Sequence, residues 1–212
     1  MILVLALSIA STGFKGTPDP SALIAAPAMR PLDVVASSVA RGLAGLRSPP
    51  TGLSTCDDRR PEIRHAADDL FNVEHMARHA LGRHWKALEP DVQGEFIRLF
   101  QGVLTQSFVR IVERYSSEDE VAAEEEIVGA FAHVRSRITG DRPESMIEYR
   151  LSWSGAQWTV YDIVLDDVSL VSNYRSQLNA IIQASSVGEL LEWMRTEPPR
   201  CRQSRDLVAT TR

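Results

Sequence analysis

The hydrophobic residues of this chain change their spacing twice, and these two changes restrict the possible folds more than any other feature. Up to about residue 115 they recur every three or four positions, as in amphipathic helices. Between 121 and 165 they alternate with polar residues or form short β-branched runs, as in strands. From 169 to 195 the helical spacing returns. The order of helices, then a sheet, then further helices is typical of an α+β domain.

The first half of the sequence predicts four helices. Pro61 and Pro90 suit the first positions of two of them, since proline is favoured there. Asn72 is suited to cap the helix VEHMARHAL, and Gly82 to end it. The last helix carries a wide apolar stripe, which indicates that it buries more than one narrow face. The predicted helices cover 33–46, 61–70, 73–81 and 90–115.

The alternating region predicts four strands, and short connections between them indicate an antiparallel meander. After the last strand, Asp166, Asp167 and Ser169 are interpreted as caps of a helix that begins near residue 170. A short helix at 189–195 follows. The predicted fold is α+β, with helices on one face of a twisted four-stranded antiparallel sheet. The predicted strands cover 121–127, 131–139, 147–153 and 158–165.

Composition restricts the classes of partner. A chain of 212 residues with 44% hydrophobic and 24% charged residues is long enough for one substantial core. The net charge of -5 provides no overall basic field, so we expect no nucleic-acid partner. No apolar run approaches the roughly 20 residues that a membrane-spanning helix needs.

The N-terminal segment has some features of an export signal. Residues 2–10, ILVLALSIA, have about the length of a signal-peptide hydrophobic region, and small residues follow them, although no basic residue precedes them. A truncated signal segment and a plain apolar end both remain open at this point. The expected organisation is a signal segment at 1–17, one α+β domain at 18–198, and a polar tail at 199–212.

The two cysteines allow a disulfide without requiring one. Cys56 lies in a loop rich in proline and glycine at 48–60, and Cys201 lies in the polar tail. A disulfide needs a Cα separation of about 4.4–6.8 Å, which the sequence does not determine. Whether the two residues pair stays open.

Three histidines are candidates for a metal site or for base catalysis. His75 and His79 lie four residues apart, a spacing that can hold a metal, but no third ligand accompanies them. We therefore interpret them as partly exposed helical residues. His84 is interpreted as a hydrogen-bonding residue within the core rather than as a base.

The acidic residues do not form a recognisable catalytic set. The stretch EDEVAAEEE at 118–126 suits a solvated strand edge better than a calcium site, since it lacks EF-hand spacing. Asp162, Asp166 and Asp167 could supply the two carboxylates of a hydrolase, but Asp166 and Asp167 are better explained as caps between a strand and a helix. Phosphate-binding glycine loops, nucleophile elbows and Cys/His pairs are absent from the sequence. We expect a protein that is not an enzyme and has no metal or organic cofactor.

Three segments resemble the MlaC family, the periplasmic phospholipid-binding components of an ABC-type lipid transport system, also called toluene-tolerance proteins. FNVEHMARHALGRHW at 71–85 is similar to the family pattern F-x-x-x-x-M-A-r-x-x-L-G-r-x-W. WTVYDIVLDDVSLVSNYRSQ at 158–177 is similar to W-k-V-Y-D-v-x-i-x-G-V-S-L-v-x-N-Y-R-x-q, and IEYRL at 147–151 matches the preceding strand. The resemblance covers roughly 33–197. Asp167 replaces the usual glycine, Leu178 replaces a frequent phenylalanine, and the loop at 48–60 is enlarged.

The resemblance implies an exported protein with an apolar pocket between sheet and helices. The pocket would hold the acyl chains of a phospholipid while its headgroup stays near the mouth. The implied partners are an inner-membrane ABC transporter complex, through an MlaD-like component, and an outer-membrane MlaA-like lipoprotein. Shuttling lipid between them across the periplasm would maintain outer-membrane lipid asymmetry.

The candidate lipid-binding residues combine an apolar set with one arginine. Arg175 is a candidate contact for a phosphate near the rim, and a structural salt bridge to Asp162 or Asp166 is the alternative. For the apolar residues the alternative is ordinary core packing, because periodicity does not separate core from cavity. The apolar candidates are Phe100, Leu104, Phe108, Tyr149, Leu151, Tyr161 and Tyr174.

Three other functions remain to be weighed. The first is a carrier of another apolar ligand such as a hopanoid or other isoprenoid lipid. The second is an enzyme of small-molecule metabolism, which would need polar residues converging in the pocket. The third is a structural adaptor, which would need no cavity.

Overall fold

The computed structural model of the protein describes residues 29–47, 61–114, 120–140 and 143–196. Several sequence predictions lie outside these residues. They concern the signal segment at 1–17, the loop at 48–60, both cysteines, Tyr115 and the tail at 199–212.

The described residues contain six α-helices close to the predicted bounds. Asn72 caps the third helix as expected, since its side chain accepts a hydrogen bond from the His75 backbone N–H at 3.0 Å. Gly82 ends that helix at a φ of 55°, a conformation that glycine adopts readily. The helices are α1 (Pro31–Arg47), α2 (Pro61–Leu70), α3 (Val73–Leu81), α4 (Pro90–Val112), α5 (Leu170–Ala184) and α6 (Val187–Thr196), with a 3₁₀ helix at Gly82–Ala87.

The strands form one antiparallel meander in the order β1-β2-β3-β4-β5. The predicted α+β class is confirmed, while the predicted number of strands is one short. The missed strand has two residues, and two-residue strands carry no periodic signal. The strands are β1 (Glu120–Val128), β2 (Phe131–Thr139), β3 (Ser145–Trp153), β4 (Trp158–Leu165) and β5 (Val168–Ser169).

The junction between β4 and α5 corrects one sequence interpretation. Asp166 and Asp167 have φ angles of 46° and 68° and form the two-residue turn between β4 and β5, so their interpretation as helix caps is wrong. Ser169 is the cap, as its hydroxyl oxygen accepts from the Ser172 backbone N–H at 3.1 Å. A carboxylate further back, that of Asp162, accepts from the Val171 N–H at 3.1 Å.

A β-bulge in β4 explains how Asp162 reaches that helix. Leu151 of β3 pairs with Val160, but the preceding Arg150 pairs with Asp162, which leaves Tyr161 as the additional residue. Before the bulge, β4 is bordered by Phe71 in a parallel bridge, and after it by β5. The bulge therefore divides β4 into two halves with different neighbours.

One continuous apolar core lies between the inner face of the sheet and the helices. Val134, Tyr149 and Ile163 occupy matching register positions on β2, β3 and β4, and all three are buried. Helix α1 packs on β1 and β2, α2, α3 and α5 pack on β4, and α4 packs on α1, α2, α3 and α6. Among the described helices, none is both long and apolar enough to cross a bilayer.

Candidate functional site

Five of the eight candidate residues lie in the continuous core. Phe100, Leu104 and Phe108 are on α4, and Tyr149 and Leu151 are on β3. Each has a relative exposure of 1% or less. A side chain with no accessible surface has no water-sized void beside it, so the interior around these five residues is filled.

Aromatic contacts hold this interior together. The Phe108 ring meets Phe71 edge-on at 5.9 Å, and the Phe100 ring meets Tyr174 edge-on at 5.5 Å. These rings are in mutual contact, so the structure shows no open apolar pocket between them.

Tyr174, the sixth candidate, connects the core to a polar contact between two helices. Its ring packs inward on Phe100, and its hydroxyl lies 2.9 Å from the Ser107 hydroxyl on α4. Burial raises the pKa of the Tyr174 phenol, and the hydrogen bond to Ser107 acts in the opposite direction. The phenol is neutral at physiological pH and acts as a hydrogen-bonding link between α4 and α5.

Tyr161 lies away from the other apolar candidates. It is the additional residue of the bulge, and its ring contacts His75 at 5.5 Å and the largely exposed Phe131 at 6.1 Å. Burial raises the pKa of its phenol. The structure thus brings five candidates and Tyr174 together, and places Tyr161 on the other side of the sheet.

Arg175 is exposed on α5 and makes neither of the salt bridges considered from sequence. Asp162 lies 3.5 Å from Arg150, and Asp166 lies 3.3 Å from Arg114. The Arg175 guanidinium instead lies against the backbone of Gly82, where an added Cβ would come within 2.7 Å of its Nε. Gly82 therefore has a second role, because any side chain there would displace Arg175.

Two clefts open on either side of Arg175. The first is about 280 Å³ and the second about 150 Å³. The first lies where the end of α3 and the 3₁₀ helix meet α5, and the second lies between α3, β4 and α5. The first is lined by Leu81, Arg83, His84, Arg175, Ser176 and Asn179, and the second by His75, His79, Tyr161, Asp162, Val171, Ser172 and Arg175.

The histidines of the second cleft stack on each other. The His75 and His79 rings are 4.4 Å apart and nearly parallel. Burial lowers the pKa of His75, with further contributions from His79 and Arg78. Within the described ranges, no group of three or more His, Cys, Asp or Glu residues is arranged to hold a metal ion.

His84 hydrogen-bonds with Asn179 of α5 at the partly buried rim. Its Nε2 lies 3.0 Å from the Asn179 Oδ1, and Arg83 donates to the same oxygen at 2.8 Å. Sequence reasoning did not identify Arg83 or Asn179 as site residues. Arg83 lies within the LGRHW motif, which was the available signal, whereas Asn179 lies beyond the NYR motif.

The outer face of the sheet carries a charged network centred on Glu148. Its carboxylate accepts from Arg150 at 2.7 Å and Arg135 at 3.0 Å, and lies 3.3 Å from His133. Partial burial acts to raise the pKa of this carboxyl. The hydrogen bonds from Arg150, Arg135 and His133 outweigh burial and lower the pKa to about 2. The group therefore remains charged throughout the physiological range.

The acidic residues of β1 are engaged by basic groups. Glu125 pairs with Arg30 and accepts from the Leu32 N–H at 2.9 Å. Glu124 and Glu126 lie 3.7 and 3.4 Å from Arg135. These contacts agree with the interpretation of this stretch as a strand edge.

Comparison with known proteins gives a family match and a similar solved structure. The family model for the MlaC protein matches residues 39–196. A solved structure of the phospholipid-binding protein from Ralstonia solanacearum, in complex with a phospholipid, superimposes with a TM-score of 0.60. The two chains are 19% identical, and the match covers 78% of this chain and 94% of the other. Among curated proteins, no sequence matches the chain.

Proposed function

The chain belongs to the MlaC family, and from that premise we propose that it is a non-enzymatic phospholipid carrier. It takes up the acyl chains of one phospholipid between the sheet and the helices. It carries the lipid across the periplasm between an inner-membrane ABC transporter with an MlaD-like component and an outer-membrane complex with an MlaA-like lipoprotein.

The observation that carries the proposal is the continuous apolar interior within the matched segment. A diacyl phospholipid has on the order of 30 methylenes, and each one removed from water contributes ~0.8 kcal/mol, so exposed tails would cost on the order of 20 kcal/mol. A carrier must provide an equally apolar surround. The buried residues between the sheet and the helices supply such an apolar environment. The phospholipid bound to the related Ralstonia protein supports the same ligand class.

The carrier must open to admit lipid, and α5 is the element that we propose to move. Its inward contacts with α4 are the Phe100–Tyr174 ring pair and one hydroxyl contact to Ser107. Acyl chains can replace aromatic contacts of this kind because both are apolar and non-directional. The two clefts beside Arg175 lie on the other side of α5, where it meets α3, the 3₁₀ helix and β4.

The proposal also assigns roles to the predicted site residues. Phe100, Leu104, Phe108, Tyr149, Leu151 and Tyr174 would contact acyl chains after opening, and Arg175 would lie near the headgroup. Tyr161 is not included in the tail-binding set, since it lies on the other side of the sheet.

Native mass spectrometry and lipid extraction test the proposal. Protein purified from a Gram-negative host is expected to carry one phospholipid per chain. After removal of that lipid, the protein is expected to acquire one from vesicles of phosphatidylethanolamine and phosphatidylglycerol. Protein that carries no lipid and accepts none from these vesicles would contradict a carrier function. A hopanoid or other isoprenoid lipid in the extract would assign the alternative ligand class.

A further inference from the structure

Two arginines face the first cleft, whose lining contains no acidic residue. Arg83 and Arg175 line it together with His84 and Asn179, and none of its six lining residues is acidic. Within the residues described, neither arginine makes an ion pair. By contrast, Arg150 and Arg135 on the outer face each contact Glu148. Two permanent positive charges that share a cleft without a counter-charge favour an anion between them.

The other polar groups of the cleft increase its capacity to donate hydrogen bonds. The Asn179 carbonyl oxygen accepts from Arg83 at 2.8 Å and lies 3.0 Å from the His84 Nε2, which also lies 3.5 Å from the Arg83 Nε. Because this oxygen is already occupied, the Asn179 amide nitrogen remains as a donor. The cleft therefore presents guanidinium and amide N–H groups and no carboxylate.

The backbone holds Arg175 in this position. Gly82 has a φ of 55° and leaves the space that the Arg175 guanidinium occupies, 2.7 Å from where a Cβ would stand. This contact joins the LGRHW and NYR motifs in space. The preceding residue on α5, Tyr174, points inward to Phe100, and Leu81 of the cleft belongs to the core. A ligand whose charged group occupies the cleft would therefore have its apolar part beside the interior.

We propose that this cleft binds the phosphate group of the lipid headgroup, with Arg83 and Arg175 as the charged contacts and Asn179 as a supporting donor. Guanidinium groups match phosphate oxygens in both charge and geometry. The inference rests on the proposed carrier function and adds to it a basis for selectivity. Lipids with a phosphate are preferred to lipids that have the same tails and no phosphate.

A competition between two lipids tests the inference. The full chain, freed of lipid, is incubated with vesicles of phosphatidylglycerol that contain diacylglycerol of identical acyl chains. Both bound lipids are then quantified by mass spectrometry, and their ratio is corrected for vesicle composition. The unmodified protein is expected to prefer phosphatidylglycerol by about tenfold to a hundredfold, the range that charge-assisted hydrogen bonds from two arginines provide.

A double variant and a matched control identify the cleft as the source of the preference. The Arg83→Gln/Arg175→Gln variant is expected to lose the preference while binding diacylglycerol as before. The control, Arg64→Gln/Arg98→Gln, removes the same charge from two exposed arginines that line neither cleft. It is expected to keep the preference. Circular dichroism establishes that both variants are folded.

The remaining outcomes separate this inference from the carrier function. A double variant that keeps its preference, or that loses both lipids equally, would overturn the headgroup assignment and leave lipid carriage intact. An unmodified protein that takes up neither lipid would overturn both proposals. In a parallel titration, inorganic phosphate is expected to leave bound phosphatidylglycerol in place. Displacement of the lipid by inorganic phosphate at the same concentration would assign the cleft to free phosphate instead.

Discussion

The two faces of the sheet use the same strands in opposite ways. The inner face carries Val134, Tyr149 and Ile163, which are buried against the helices. The outer face carries Arg135, Glu148 and Arg150, which form ion pairs and hydrogen bonds. Apolar contacts are non-directional and can be exchanged for other apolar contacts, whereas paired charges require a particular geometry.

This difference suggests a division of labour within one sheet. The charged outer face maintains strand register whether or not the interior contains a ligand. Under the proposed carrier function, the inner face would exchange contacts with the helices for contacts with acyl chains without loss of the sheet. Four predictions test this division, and they follow in order of expected effect.

Truncation of an inner aromatic residue has the largest expected effect. Phe108→Ala removes a fully buried ring and is expected to lower the free energy of unfolding by about 3–5 kcal/mol, measured by urea denaturation of lipid-free protein. The matched control is Phe131→Ala on the outer face. Phe131 is 52% exposed, so its loss is expected to cost less than about 1 kcal/mol.

The same pair of variants also tests whether lipid replaces core contacts. If acyl chains occupy the interior, bound phospholipid is expected to reduce the loss in Phe108→Ala, because a tail fills part of the cavity. It is expected to leave the Phe131→Ala difference unchanged. Equal losses in both variants would contradict the distinction between the two faces.

Asp162 links the two faces, and its replacement has the next largest expected effect. Its carboxylate accepts from the Val171 N–H at 3.1 Å and the Ser169 hydroxyl at 2.8 Å, and it lies 3.5 Å from Arg150 of the outer face. Asp162→Asn removes the charge and one acceptor oxygen. We expect a loss of about 2–3 kcal/mol in the free energy of unfolding.

Hydrogen exchange shows where the stability of Asp162→Asn is lost. The amides at the start of α5, beginning with Val171, are expected to exchange faster, while those of β2 and β3 change less. Ser169→Ala, which removes the cap and keeps the carboxylate, is the control, with an expected cost of about 1 kcal/mol. Uniform acceleration over all strands would contradict a local role at the junction.

Removal of the outer-face carboxylate has a smaller effect that depends on pH. The pKa of Glu148 is lowered from 4.5 to about 2 in the folded protein, so the unfolded chain binds the proton more readily. The stability that Glu148 contributes is therefore complete above about pH 4.5 and is lost as pH falls toward 2. The shift alone corresponds to ~3 kcal/mol, but solvent screens the partly exposed arginines, and we expect about 1–2 kcal/mol.

Urea denaturation between pH 7 and pH 2 tests the Glu148 prediction. Glu148→Gln is expected to be less stable at neutral pH and to lose less stability on acidification than the unmodified protein. The control is Glu74→Gln, which disrupts an exposed pair with Arg78 and is expected to change stability by only about 0.3–0.5 kcal/mol. A Glu148→Gln variant with an unaltered acid response would show that other groups dominate it.

The sequence predicted the elements well because their signals are local. Local signals set the ends of these helices: Asn72 caps α3, Gly82 ends it, and Pro90 begins α4. The predicted bounds of α2 and α3 agree with the structure. The alternation on β2 and β3 depends on residues within a single strand. In these elements, local preference and tertiary structure agree.

The features that the sequence did not predict depend on residues far apart in the chain. The bulge at Tyr161 is defined by pairing with β3, and the Arg83–Arg175 cleft requires contact between α5 and the end of α3. Periodicity likewise does not distinguish a filled core from a closed pocket, because both need the same buried residues. The two-residue strand β5 was missed because its turn, Asp166-Asp167, lacks the glycine that marks such turns.

The Asp166-Asp167 turn provides the smallest expected effect. Replacing its two residues by glycine is expected to change the free energy of unfolding in opposite directions. Asp167 is exposed and has a φ of 68°, so Asp167→Gly relieves left-handed backbone strain of about 1 kcal/mol and loses part of that gain to the greater entropy of the unfolded chain. The net expectation is an increase of about 0.5 kcal/mol in the free energy of unfolding.

Asp166→Gly is the control, since its φ of 46° is also left-handed but its carboxylate accepts from the Met146 N–H at 3.0 Å and from Arg114 at 3.3 Å. Loss of these bonds is expected to outweigh the relieved strain, so Asp166→Gly should be destabilised. Because the turn belongs to neither face, Asp167→Gly should leave both lipid uptake and the acid response unchanged. Stabilisation of both variants, measured by urea denaturation, would show that backbone conformation alone determines the turn, while a change in lipid uptake would show that the turn is coupled to the interior.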